Sequence, residues 1–94
     1  MKNSKEDLGF DSPIYVNISV DPVLSVRQAN ILLNAKWPLI HILDTRGMEP
    51  EPLKRARNAC AVASMSGSRQ DIEYARKSFE RAARSAGVLM DRAG

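Results

Sequence analysis

The sequence predicts an α+β fold: a short N-terminal β-hairpin, extended by a third strand if the C-terminal end docks back, packed against three helices. Three observations predict it. Ile14, Val16, Ile18 and Val20 alternate with polar neighbours at period two. Ile72, Ala75, Phe79, Ala82, Ala83 and Ala86 recur at helical spacing inside a stretch delimited by Ser68 and Gly87. Between these lie two further helical stretches, punctuated by Ser25, Trp37-Pro38, Pro52 and Gly67. A chain of 94 residues has room for one core, so residues 1–9 read as a flexible N-terminal segment and residues 10–94 as a single small domain.

Met1 to Asp7 is polar and charged, and Phe10 is the first residue large enough to anchor the chain. The period-two run predicts a half-buried strand over Ile14–Val20, with its β-branched face inward. Asp21-Pro22 suits the first two positions of a type I turn, which leaves Val23-Leu24 as a very short returning strand. Ser25 followed by Gln28 forms a capping box that starts a helix with Val26, Ala29 and Leu33 on one face and Leu32 beside it. Trp37-Pro38 ends that helix, because a residue before proline avoids helical backbone.

Leu39 to Glu49 is too short an apolar run to choose between strand and helical turn, and it reads as a connection bounded by Gly47 and Pro50. A second main helix begins near Pro52, a favourable first-turn residue, and carries Leu53, Ala56, Cys60 and Ala63 inward before Gly67 stops it. Its last turns are apolar on nearly every side through Ala59, Ala61, Val62, Ala63 and Met65, which predicts a cover on every side: the domain centre or half of an oligomer contact. The last helix has Ser68 as N-cap, Asp71 as the capping-box acid and Gly87-Val88 as its left-handed stop. Val88 to Met90 is then free to return beside the first strand.

Composition sets the function classes. Apolar residues make up 44% and charged residues 27%, a globular balance, and the few aromatics leave an aliphatic, alanine-rich core. The formal charge of +3 permits an acidic partner without requiring one. A single cysteine rules out an intramolecular disulfide and suits a reducing compartment. Lys2 and Lys5 are followed by Glu6 and Asp7 and by no apolar stretch, which is not a signal-peptide pattern. No apolar run is long enough to span a membrane, and the expected location is cytoplasmic.

The order of landmark residues carries a resemblance. Phe10 and Pro13-Ile14, Val23-Leu24-Ser25 with Gln28-Ala29, Trp37-Pro38, Cys60, Ala75-Arg76, Phe79, Ala82-Ala83 and Ala86-Gly87-Val88 together resemble domain-of-unknown-function family 982, short proteins of soil alphaproteobacteria. The similarity runs over roughly residues 10 to 90, and the Trp-Pro step and the last helix are its most specific parts. Against the family pattern, the hairpin around Asp21-Pro22 is shorter, and Leu39 to Pro52 is longer and poorer in small residues. The resemblance implies a small α+β fold and a bacterial cytoplasmic origin, and it implies no activity.

No catalytic set emerges from the residues. His41 and Cys60 are the only imidazole and thiol, whereas structural zinc needs about four such ligands. Cys60 sits on an inner stripe, where cysteine acts as a small apolar residue. The glycines are isolated, so no phosphate-binding loop is present, and Ser64, Ser66 and Ser68 read as helix-ending and capping residues. No metal, cofactor or enzymatic activity is expected.

Charge offers more. Lys54, Arg55 and Arg57 crowd the first turns of a helix, where the dipole disfavours cations, and form a candidate anion-binding cluster unless Glu49 and Glu51 neutralise it. On the last helix, Glu73–Lys77 and Glu80–Arg84 stand in the favourable i,i+4 orientation, so that face with Arg69 and Arg81 should largely neutralise itself. Arg76 borders the apolar stripe and needs a bidentate acceptor or an aromatic face; a structural pair with an acid of another element, such as Asp21 or Asp44, is expected ahead of ligand binding. Trp37 reads as an anchor at the helix end rather than a stacking platform.

The function this supports is a small non-enzymatic interaction or regulatory module whose partner is itself, as a homodimer, or another protein. Tyr15 and Asn17 on an open strand edge, with Val62 and Met65 on the second helix, form the expected interaction surface. The alternative is nucleic-acid or anion binding through Lys54, Arg55 and Arg57; no membrane partner is expected.

Overall fold

A computed structural model of the chain describes residues 9–38 and 47–90, and gives the order β1 (Gly9–Ile14), β2 (Val23–Ser25), α1 (Val26–Ile31), α2 (Glu51–Ser66) and α3 (Arg69–Ser85). β1 and β2 form an antiparallel hairpin on the helices, so the architecture is α+β. The strand lies earlier than its hydrophobic pattern predicts. It ends at Ile14 instead of running from Ile14 to Val20, the turn falls at Asn17–Ile18 rather than Asp21-Pro22, and Gly9 belongs to the strand. Of the period-two residues, Ile14 and Val16 are buried, Ile18 is half-buried and Val20 is fully exposed.

Pairing explains the shift. Gly9 stands opposite Ser25 and Ile14 opposite Val23, so β1 uses more residues than β2 over the same length and bulges through Asp11, Ser12 and Pro13. Arg69 pins the bulge from the start of α3, donating to the Gly9 carbonyl at 3.0 Å and to Asp11 Oδ1 at 2.6 Å. The C-terminal segment docks as a third strand-like element: Val16 pairs with Leu89, Asn17 N–H donates to the Val88 carbonyl at 2.9 Å, and Met90 N–H donates to the Tyr15 carbonyl at 2.8 Å. The edge at Tyr15 and Asn17 is therefore covered from within the chain.

The helix boundaries follow from capping. Ser25 Oγ accepts from Gln28 N–H at 3.3 Å, while Gln28 Oε1 accepts from Leu24 N–H at 2.8 Å, one residue earlier than a standard box. α1 widens into a π-helical turn over Leu32–Lys36 before Trp37 turns extended ahead of Pro38. α2 places Pro52 in its first turn and stops at Gly67, whose φ of 67° is left-handed. Ser68 Oγ accepts from Asp71 N–H at 3.1 Å; the reciprocal half of the box is relayed, since Ser66 Oγ donates to Asp71 at 2.6 Å and accepts from Ser68 N–H at 3.2 Å. α3 closes with both bonds of a Schellman end: Gly87 N–H to the Arg84 carbonyl at 3.2 Å and Val88 N–H to the Ala83 carbonyl at 3.0 Å.

These ends set the first stability prediction. A Cβ on Gly87 would meet nothing within 4 Å, so the cost of Gly87→Val comes chiefly from its φ of 75°. It should destabilise by about 1–2 kcal/mol, against about 1 kcal/mol for Ser68→Ala. An unchanged denaturation midpoint for Gly87→Val would mean that the left-handed end does not hold the Val88–Met90 return in place.

The core is one cluster. α2 contributes Leu53, Ala56, Ala59, Cys60 and Ala63; α3 contributes Ile72, Ala75, Phe79, Ala82 and Ala83; the hairpin and α1 add Ile14, Val16, Val23, Val26, Ala29 and Leu33. Small side chains on both sides let α2 and α3 approach closely as a hairpin. Trp37 is buried and meets the Phe79 ring edge-on, with centroids 5.8 Å apart, the anchor its position predicts. Among the described residues, no helix is long and apolar enough to cross a membrane.

Candidate functional site

The far side of α2 differs from its expected cover. Val62 is 52% exposed and Met65 89% exposed, so the apolar C-terminal turns of α2 are not enclosed by the described residues. Val62 sits at the end of a groove of about 390 Å³ between α2 and α3, lined also by Lys54, Asn58, Ala59, Asp71 and Tyr74, and Met65 follows one helical turn further along α2. Tyr74, 54% exposed, is the residue that pattern reading misses. Its signal was available, because an aromatic standing off the apolar stripe of a capped helix faces water by construction.

Tyr15 and Asn17 belong elsewhere. Tyr15 lines a separate depression of about 580 Å³ with Arg76, Glu80, Arg84 and Met90, and none of its lining residues is shared with the α2–α3 groove. The four residues expected to form one interaction surface thus fall on two. The helical face holds Val62 and Met65; the strand side, already bonded to Val88 and Met90, holds the others.

The basic cluster is largely spent. Arg55 pairs with Glu51 at 3.1 Å, and Arg57 pairs with Glu49 at 2.7 Å while donating to the Leu33 carbonyl at 3.3 Å. Arg57 is a brace between α2, its leading turn and the end of the first helix. Lys54 is exposed and lines the groove.

On α3 the acids choose differently from the i,i+4 expectation. Glu73 takes Arg76 at 2.9 Å rather than Lys77, and Arg76 also reaches Glu80 at 3.6 Å. Arg76 therefore finds its carboxylates on its own helix and not at Asp21; Asp44 lies outside the described residues. Glu80–Arg84 forms as expected, at 3.5 Å. The Arg76 hydrogen bond, and then its charge, hold the Glu73 carboxyl below its usual range despite some desolvation, while the same bond raises the Arg76 guanidinium. This cluster locks one helical surface and occupies the arginines that line the larger depression.

Cys60 has no exposed surface, and burial pushes its thiol up to about 12, so it is a core residue at neutral pH. His41 lies outside the described residues. Among the described residues, no three His, Cys, Asp or Glu side chains are grouped to hold a metal ion.

A family model described as "Protein of unknown function (DUF982)" matches residues 12–90. No curated protein and no solved structure matches the chain.

Proposed function

We propose, for a chain that belongs to the DUF982 family of proteins of unknown function, that it acts as a small non-enzymatic interaction module and takes its partner on the face between α2 and α3. The observation that carries this reading is that Val62 and Tyr74, each at least half exposed, line one groove between α2 and α3, with exposed Met65 one turn beyond Val62 on α2. Apolar surface gains about 25 cal/mol per Å² when it leaves water, and a contiguous patch flanked by polar residues is how a protein contact announces itself. A groove between two helices suits an apolar ridge from a partner. A cytoplasmic setting suits a chain whose one cysteine is a buried free thiol.

The test is association that depends on the patch. Wild-type protein should associate, with itself or with a lysate protein, and Val62→Glu combined with Met65→Glu should lose that association while keeping its helical circular dichroism. Equal association by wild type and variant would remove the reading.

The nucleic-acid alternative has less support, because Arg55 and Arg57 already hold carboxylates. Binding to duplex or single-stranded DNA should be weak and no different in the Lys54→Gln, Arg55→Gln, Arg57→Gln triple variant. Tight binding with a steep salt dependence, lost in that variant, would put nucleic acid first.

A further inference from the structure

We infer that the occupant of the α2–α3 groove is a second copy of this chain, turned end for end about a two-fold axis; this rests on the interaction-module reading above. The charge along the groove carries the inference. At the N-terminal end of α2, Glu51 neutralises Arg55, leaving Lys54 as the net positive charge. At the other end stands Asp71, in the first turn of α3. Asn58, Ala59, Val62 and Tyr74 between them are uncharged. The lining is thus neutral as a whole and polarised from end to end. An acidic helix laid in it meets Asp71, and a basic one meets Lys54. A second copy in the reverse direction satisfies both ends.

The spacing agrees with that arrangement. Lys54 lies roughly 18 Å along α2 from Ser66, whose Oγ donates to Asp71 at 2.6 Å, so the midpoint between the two charges falls between Ala59 and Val62. A two-fold axis crossing the groove there carries each Lys54 toward the other copy's Asp71 and brings Ala59 and Val62 of both copies to the axis. Such an isologous contact closes at two copies. The other route to self-pairing, through the strand edge, is closed at Tyr15 and Asn17 by the backbone bonds to Val88 and Met90.

Analytical ultracentrifugation of the whole chain from low to several hundred micromolar tests the inference by charge swap. Wild type should shift from monomer to dimer mass. Lys54→Asp, at an exposed position, should weaken dimerisation about tenfold or more, since two symmetric contacts change at once. Lys54→Asp combined with Asp71→Lys should restore it to within a few-fold of wild type. If Asp71→Lys fails to fold, Val62→Cys decides instead: two thiols near the axis should form an intermolecular disulfide on mild oxidation, with the fully buried Cys60 silent, and absence of that cross-link overturns the proposal. A wild type that stays monomeric throughout also overturns it, as does a Lys54→Asp dimer of unchanged affinity. Val62-dependent capture of a different protein by a monomeric wild type would sink only the second copy; no Val62-dependent association of either kind would remove the module reading as well.

Discussion

Phe79→Ala protein should be less stable than wild type by about 3–5 kcal/mol, a large share of the roughly 5–15 kcal/mol a domain possesses. Phe79 has no exposed surface and occupies the middle of α3, within the one core cluster that α3 shares with the hairpin, the first helix and α2. Its removal leaves a cavity in a core rich in alanine, whose short side chains cannot extend to fill it, so the site relaxes little. It also ends the edge-to-face contact with Trp37 at 5.8 Å, worth about 0.5–1.5 kcal/mol beyond the buried area. Urea denaturation followed by Trp37 fluorescence reads both effects, and in a thermal scan the midpoint should fall by at least about 12 °C. Trp37→Ala added to Phe79→Ala should cost less than the two single changes together, because the two rings share one space. A cooperative unfolding midpoint near that of wild type would refute this packing.

The helices were legible because their signals are local. Ser25, Pro52, Gly67, Ser68 and Gly87 each act within one turn of chain, and each stands where a cap, a first-turn residue or a stop was expected. β1 was not, because its position is set by distant residues. Gly9, Asp11 and Pro13 are poor strand formers, while Ile14 to Val20 alternates well. The poorer segment pairs because Ser25 and Val23 stand opposite it and because Arg69, sixty positions away, holds Gly9 and Asp11. Hydrophobic alternation told which face of Ile14 and Val16 turns inward, and it could not tell which backbone would be bonded. The family resemblance, drawn from the landmark residues, agrees with the family model over residues 12–90.

The surface was legible in part for a related reason. Val62 and Met65 fall off the inner stripe of α2, so their exposure follows from the helical period once the stripe is known. What they join does not. Tyr74 reaches the groove of Val62 only through the pairing of α2 with α3, whereas the backbone at Tyr15 and Asn17 bonds to Met90 and Val88. Ion pairs show the same limit. Arg57 pairs with Glu49 ahead of its helix, and Glu73 prefers Arg76 over Lys77, choices made by side-chain reach and neighbouring packing rather than by spacing alone.

Cys60 should be protected from alkylation at pH 8 by at least three orders of magnitude relative to the unfolded chain. At the ordinary thiol value of 9.0 about a tenth of the groups are thiolate at that pH, and at about 12 only about one in ten thousand is. Burial adds to this, since the sulfur has no exposed surface and reagent must wait for the domain to open. The same shift has a thermodynamic consequence of definite sign. The folded state holds the thiol proton more tightly than the unfolded state does, so its contribution is fully present below pH 9 and is lost as the pH rises through the folded value near 12. The loss approaches about 4 kcal/mol once the unfolded thiol is fully ionised and the folded one begins to follow. Other groups titrate in that range too, so the comparison with Cys60→Ala isolates the term. Wild-type stability should fall more steeply than that of Cys60→Ala between pH 9 and 12, and alkylation of the wild type should track global unfolding in urea. Parallel pH curves, or a thiol that reacts freely under native conditions, would show that Cys60 reaches solvent without unfolding and that the α2–α3 seam opens on its own.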